Sequence, residues 1–322
     1  MMQLKQMVLS AMITLVSVGA ASAQTWPTKP IKVIIPFGAG SATDIVPRIV
    51  FEPVSQALGQ TIVVENRAGA GSTTGTAQVA KADPDGYTFL VTSSAYTIVP
   101  AMFDKLGYDP EKDLTGVTLI AALPSVMIVP ASLPYSTVQE FVSAAKAKPG
   151  TFNFASLGAG SGTHLAAERF RLSAGFDAAH VAFKSGAEAL TEIVAGRIQY
   201  YMCPVGTAMS FIKEGKVKAL AVTPQTRVSA LPDVPTTLEA GFKDSDTSAW
   251  VGMLAPAGTP KEIVERMHAE IAKALKVDNV RSKLTPNGVE PLSGSIAAFN
   301  QQIVQEIAIN KVIAKQLALK PN

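Results

Sequence analysis

Two short stretches carry the residue types that could hold an anion. One is Phe37-Gly38-Ala39-Gly40-Ser41-Ala42-Thr43-Asp44, after the strand-like run Val33-Ile34-Ile35. The other is Leu157-Gly158-Ala159-Gly160-Ser161-Gly162-Thr163-His164, after Asn153-Phe154-Ala155-Ser156. Each leads into a helical pattern. Glycine lets the backbone turn tightly and approach a ligand with no Cβ between them. The helix that follows offers its unpaired first N–H groups and the positive end of its dipole, which favour a carboxylate or phosphate. One such loop is ordinary turn chemistry. Two of them, each opening a helix, predict a binding site between two lobes.

Other chemistries fit the residues less well. Gly38-x-Gly40-x-x-Thr43, with Glu65 closing the next strand, imitates a dinucleotide fingerprint and makes an NAD(P)-type oxidoreductase the rival reading. The third glycine of that fingerprint is missing. No lysine stands after Gly75 where a phosphate-cradling loop needs one. Ser41 and Ser161 lie beside glycine, yet neither sits in Gly-x-Ser-x-Gly. The three histidines, His164, His180 and His268, show no metal-ligand spacing. His268 reads as an exposed helix residue, and His164 either bonds its own loop or faces a ligand. The single cysteine, Cys203, forms no internal disulfide and reads as a buried small hydrophobe. No enzymatic set, metal or cofactor is expected.

Length and charge narrow the class. A chain of 322 residues fits two domains, and 48% hydrophobic residues suffice for two cores. The formal charge is +3, one unit of it from Lys5, and no block of like charge occurs, which argues against a nucleic-acid partner. Residues 1–23 read as a signal peptide: Lys5, the apolar run Val8–Ala21, and Ala21-Ser22-Ala23 before Gln24. That run is shorter than the ~20 residues a membrane span needs. The sequence predicts cleavage after Ala23 and an exported protein with no membrane span.

Periodicity supplies the elements that position the loops. Strand Ile31–Phe37 precedes the first loop, and Ile45, Ile49, Val50, Val54 and Leu58 recur at helical spacing after it. Since proline has no N–H, an undistorted helix would place Asp44 at the N-cap and Pro47 at N3, and Pro53 predicts a kink. Strand Thr61–Glu65, helix Thr74–Lys81, the turn Asp83-Pro84-Asp85-Gly86 and strand Tyr87–Thr92 follow. This alternation calls for a parallel sheet with helices on both faces. Ser93 and Ser94 then end at the same sheet edge as the first loop. A second set runs through helix Leu165–Leu172, strand His180–Phe183, helix Ala187–Val194 and strand Ile198–Met202. Capping boxes are predicted at Ser136–Gln139, Thr236–Glu239 and Thr259–Glu262.

Several stretches, in order along the mature chain, resemble the Bug family, the periplasmic substrate-binding components of tripartite tricarboxylate transporters. They are Pro30–Phe37, Ala42-Thr43-Asp44, Val64-Glu65-Asn66-Arg67-Ala68-Gly69-Ala70-Gly71, Pro84–Thr88, Asn153–Ser156, Ala219–Thr223, Leu231–Thr236 and Leu254–Pro260. The resemblance implies an α/β, two-lobed type II periplasmic binding protein fold. Each lobe would be a mostly parallel sheet flanked by helices, joined by a two-strand hinge near Leu123–Val126 and Ala249–Val251. Residues 24–124 plus 247–322 would form lobe 1, and 125–246 lobe 2.

It further implies a small carboxylate held by loop backbone and hydroxyl groups without an arginine clamp. The matching positions are Phe37, Gly38, Ala39, Gly40, Ser41, Ala42, Thr43, Asp44, Ser93, Ser94, Ser156, Gly160, Ser161, Gly162, Thr163 and His164, with Lys184, Ser185 and Gly186 in a further loop. Partners would be integral-membrane transporter subunits, with the chain a monomer. A ligand sensor for a signalling partner is the other role left open. Cys203-Pro204 replaces an aspartate the family commonly carries after Met202, so the resemblance also puts Cys203 among the ligand-binding positions. A neutral thiol cannot pair with an ammonium, so the expected ligand is an acid without an α-ammonium group.

Overall fold

Burial alternates along the first strand: Ile31, Val33 and Ile35 enter one core and Ile34 another, all fully buried. A strand buried on both faces needs helices on both sides. The computed structural model describes residues 26–316 apart from 104, 159, 160 and 248, so the leader (1–23) and Gly160 lie outside the described residues.

The first part of the chain forms β1 (Ile31–Ile35), α1 (Ala42–Leu58), β2 (Ile62–Asn66), α2 (Thr73–Ala80), β3 (Thr88–Ser93), α3 (Ala95–Met102) and β4 (Leu114–Leu123). The middle forms β5 (Ser125–Pro130), α4 (Val138–Ala147), β6 (Asn153–Ser156), α5 (Gly162–Ala174), β7 (Ala179–Ala182), α6 (Gly186–Val194), β8 (Tyr200–Pro204), α7 (Val205–Lys213) and β9 (Val217–Val222). The last part forms β10 (Ala249–Pro256), α8 (Lys261–Ala274), α9 (Asp278–Leu284), β11 (Glu290–Pro291) and α10 (Ile296–Gln316).

Two sheets result, a six-stranded one ordered β11-β4-β10-β3-β1-β2 and a five-stranded one ordered β7-β6-β8-β5-β9. The two-sheet α/β architecture is the one expected from sequence. The βαβ strands pair in parallel, as β1 does with β2 and β3, and β6 with β7 and β8. The strands next to the crossing run antiparallel: β10 against β3 and β4, and β5 against β8 and β9. Among the described strands each sheet is thus mostly parallel in direction, as expected, with β10 and β11 reversed in the larger sheet and β5 in the smaller, where the chain crosses between sheets.

Helices α1 and α8 cover one face of the larger sheet through Val50, Val54, Met267 and Ile271. Helix α10 covers the other through Phe299, Ile303 and Ile307. Phe299 lies so close that a Cβ on Gly252 would sit 2.6 Å from its ring, and Asn300 brackets Gly116 with both amide atoms. In the smaller sheet Tyr200 and Met202 enter one core and Tyr201 and Cys203 the other.

The first helix departs from expectation. It starts one turn earlier, with Ser41 as N-cap, and runs without interruption through Pro47 and Pro53. Each proline has no N–H for the carbonyl four residues back, but packing of Val46, Val50 and Val54 holds the helix. The box before α4 uses Thr137 and Glu140 rather than Ser136 and Gln139, since a carboxylate accepts more strongly than an amide. Thr236 and Glu239 do exchange the predicted pair of bonds, although only a turn follows. Thr259 instead donates to the Pro256 carbonyl, leaving Pro260 at the start of α8.

Only Pro124 separates β4 from β5, and Ala249 at the start of β10 pairs with Leu123. The two crossing segments thus lie side by side. Behind them, Ser229 donates to the Glu290 carboxylate from both its N–H (2.9 Å) and its hydroxyl (2.6 Å). Gly288 sits beside Gly206 with φ +67°, and a Cβ there would lie 2.8 Å from the Gly206 nitrogen.

Candidate functional site

A cleft of about 950 Å³ opens between the two sheets. On one side it is lined by Ala42, Ile45 and Ile49 of α1, by Ser94 and Thr97, and by Gln302, Glu306 and Asn310 of α10. On the other side stand Leu157, Ser161, Gly162, Thr163 and Arg169, with Val205, Gly206 and Thr207 at the start of α7. The crossing segments, Leu123 to Ser125 and Thr247, form its floor.

The first loop is braced by a carboxylate. Asp44 accepts from the Gly40 N–H (2.9 Å), Arg48 Nε (2.8 Å) and Asn66 Nδ2 (3.0 Å). Asn66 also donates to the Phe37 carbonyl and accepts from Arg48, which ties β2 to the loop. Burial alone would raise the Asp44 pKa, but the Gly40, Asn66 and Arg48 donors outweigh it and hold the carboxyl below its ordinary value. Gly40 has φ +82°, which a residue with a Cβ seldom adopts, whereas Gly38 has no such demand.

The second loop is braced by hydroxyls and rings. Ser161 caps α5 by accepting from the His164 N–H (3.2 Å) and donates to the Gly158 carbonyl (2.7 Å). Thr163 Oγ1 accepts from the Leu157 N–H. Ser156 Oγ lies 2.5 Å from His180 Nε2. The His180 ring stacks 4.1 Å from that of His164, which is itself stacked on Phe154. Burial, then the neighbouring His180 and Arg171, push the His164 pKa down to about 4. Glu168 is 3.9 Å from His164 Nε2, too far for a hydrogen bond, and is held by Arg171 at 2.7 Å. His164 is therefore neutral at pH 7.

Of the residues the sequence put forward, Ala42, Ser94, Ser161, Gly162 and Thr163 line the cleft. Among the described residues, the N–H groups of Ala42, Thr43, Gly162 and Thr163 are not used by the loops' own hydrogen bonds, as helix starts require. Gly38, Ala39 and Gly40 are exposed in the first loop, with Phe37 half-buried and Thr43 and Asp44 buried at its base. Ser41 is half-buried, and its Oγ has no partner. Ser93 accepts from the Ala95 N–H, and Ser156 and His164 are buried beneath the second loop.

Lys184, Ser185 and Gly186 are not on the cleft wall. Ser185 caps α6 on the Glu188 N–H, and the Glu188 carboxylate accepts from the Lys184 N–H. Cys203 does not face the cleft either. It is fully buried on the β8 face shared with Tyr201, paired across to Val126, and burial pushes its thiol pKa up. The inference from a missing ammonium partner at that position thus loses its basis. His268 is half-buried, with Nδ1 3.2 Å from the Val117 carbonyl.

The sequence reading missed the cleft's charged groups. Arg169 reaches Asp246 at 3.8 Å and donates to the Asp244 carbonyl. Glu306 accepts from Trp250 Nε1 (3.0 Å), Thr97 (2.9 Å) and Gln302 (2.8 Å). Lys283 pairs with Glu52 at 3.6 Å. The one advance signal was the polar row Gln302, Glu306 and Asn310, which shares a helix face at four-residue spacing.

The profile of the tripartite tricarboxylate transporter family receptors, TctC, matches residues 46–319. The chain belongs to this receptor family. It is similar to the UPF0065 protein in the tcbD–tcbE intergenic region of Pseudomonas sp. (strain P51), 35% identical over 284 residues, 88% of this chain and 84% of that one. Its structure resembles that of R. palustris Rpa4515 with adipate, with a TM-score of 0.76, 31% identity, and coverage of 92% of this chain and all of the other. It also resembles MatC (Rpa3494) from Rhodopseudomonas palustris with bound malate, with a TM-score of 0.72, 32% identity, and coverage of 89% and 99%. These neighbours of the TctC receptor hold carboxylates. Among the described residues no helix is long and apolar enough to cross a membrane, and no cluster of metal-ligating side chains occurs.

Proposed function

We propose that this TctC receptor is a periplasmic solute-binding protein that captures a small carboxylate between two lobes and passes it to integral-membrane transporter subunits. One lobe would comprise residues 24–124 and 247–322, the other 125–246, and the leader would be removed after Ala23. The observation that carries this reading is the pair of helix starts, at Ala42 and at Gly162–Thr163, on opposite walls of one cleft. Their free N–H groups and dipoles favour an anion. Charge-assisted bonds of this kind contribute about 1.5–3 kcal/mol each. The wall carries no surplus cation for a phosphate-rich cofactor, since Arg169 and Lys283 already face acids.

A thermal-shift panel of carboxylates tests the reading. At 100 times its dissociation constant a true ligand adds about 2.7 kcal/mol to stability, whereas NADH should give no shift. A shift with NADH and silence across the acids would replace this reading with the oxidoreductase one. Intact mass should show the exported form beginning at Gln24.

A further inference from the structure

The start of α7 lies on the cleft wall and lacks the side-chain cap that closes α5 and α6. In those helices Ser161 and Ser185 each accept an N–H of the first turn. The N-cap of α7 is Pro204, whose side chain can accept nothing. The Val205 N–H reaches the Pro124 carbonyl (2.9 Å), but among the described residues the N–H groups of Gly206 and Thr207 have no acceptor. Such a helix start favours an anion, yet unpaired first N–H groups are common to helices in general. A second observation points to an occupant. Tyr201, on β8, is fully buried, and its hydroxyl has no hydrogen-bond partner. That hydroxyl ends where α6 and α7 meet: a Cβ placed on Gly186 would lie 3.9 Å from it and 3.3 Å from the Thr207 methyl. Burial, then the neighbouring Cys203, push the phenol pKa up, so it stays protonated and is a donor. A buried donor with no acceptor is destabilising, and phenylalanine would fill the same space without that cost.

We propose that Tyr201 is a specificity-determining residue, its hydroxyl forming with the Gly206 and Thr207 N–H groups a further subsite that takes a carboxylate of the ligand. This rests on the solute-binding reading above and deepens it. Thr207 is exposed on the wall, and a turn of its side chain about one bond admits a carboxylate oxygen to the hydroxyl beneath. All three groups are donors, so a cationic group gains nothing there. The bond to the phenol is charge-assisted and exists only with ligand bound.

Calorimetric titration of the wild type, Tyr201→Phe and Tyr200→Phe with hexanoate, 3-phenylpropionate, succinate, adipate, malate and citrate tests it. Tyr200 is the adjacent buried tyrosine, on the other face of β8, with its hydroxyl 3.4 Å from the Ala167 carbonyl. Tyr201→Phe should weaken the acid that the wild type binds most tightly by about tenfold, the loss of one charge-assisted bond, and Tyr200→Phe should not. Without ligand, urea unfolding should find Tyr201→Phe no less stable than the wild type, because the change removes an unpaired hydroxyl. Saturation with the same acid should shift the tyrosine absorption of the wild type but not that of Tyr201→Phe. Unchanged affinity in Tyr201→Phe, an equal loss in both variants, a destabilised ligand-free Tyr201→Phe, or an absorption shift that persists in it would overturn the inference while leaving the solute-binding reading intact. Silence of the wild type toward every acid would overturn both.

Discussion

In the loop before α1 a carboxylate gathers the donors, whereas in the loop before α5 two hydroxyls and a pair of stacked imidazoles do so. Both loops follow a central strand of their sheet, turn at glycine and present free N–H groups to one cleft. The bracing differs in its electrostatics. Asp44 works because it is charged, and His164 because it is not. A shared backbone geometry can therefore rest on opposite protonation demands, and pH should separate the two.

The largest expected effect comes from the histidine side. His164 falls from its ordinary 6.5 to about 4 in the folded protein. Between those values the unfolded chain binds a proton that the folded one refuses. The contribution to stability is complete above about pH 6.5 and is lost as pH falls toward 4, by about 3 kcal/mol at 1.36 kcal/mol per unit. Urea unfolding at pH 7, 5.5 and 4 measures it, and His164→Gln should flatten the slope. A slope unchanged in that variant would break the comparison.

Next is Asp44→Ala, which removes the acceptor of Gly40, Arg48 and Asn66 and should cost about 2 kcal/mol at pH 7, allowing for the exposure of Arg48. Because the carboxyl titrates below its ordinary value, the wild type keeps this advantage until pH falls through that lowered value, and only then should the two proteins converge. Chemical denaturation of both proteins in a series descending from pH 7 checks both points. The smallest effect is Ser161→Ala, about 1 kcal/mol for loss of an N-cap. Added salt should leave that loss unchanged but shrink the cost of Arg48→Gln, which is part of a half-exposed ion pair.

Local features were legible in the sequence. The apolar run Val33-Ile34-Ile35 and the spacing of Ile45, Ile49, Val50, Val54 and Leu58 gave strand and helix, although it is Val46 and not the exposed Ile45 that enters the core, and the two glycine loops fell where the helices begin. The order of elements gave the parallel βαβ units but not the reversal of β5 and β10, which depends on where the chain crosses. Ser185 resembled a binding residue, yet Glu188 three positions on marked it as half of a cap. Cys203 was placed toward the ligand by likeness to relatives, while strand alternation beside the buried Met202 and Tyr201 puts it in a core. Arg169, Asp246, Lys283 and Glu306 come from four distant parts of the chain, so no local pattern could join them.

The burial of Cys203 has a practical side. The chain's single thiol is enclosed on the β8 face and held protonated by its surroundings. A thiolate is the form that reacts with maleimides and disulfide reagents, so the native sulfur is silent toward them while the fold persists. Ile45→Cys combined with Leu157→Cys would put two addressable labels on opposite walls against an unlabelled background. The protein thus comes ready for distance measurement by paired fluorophores or spin labels, with no cysteine to remove first.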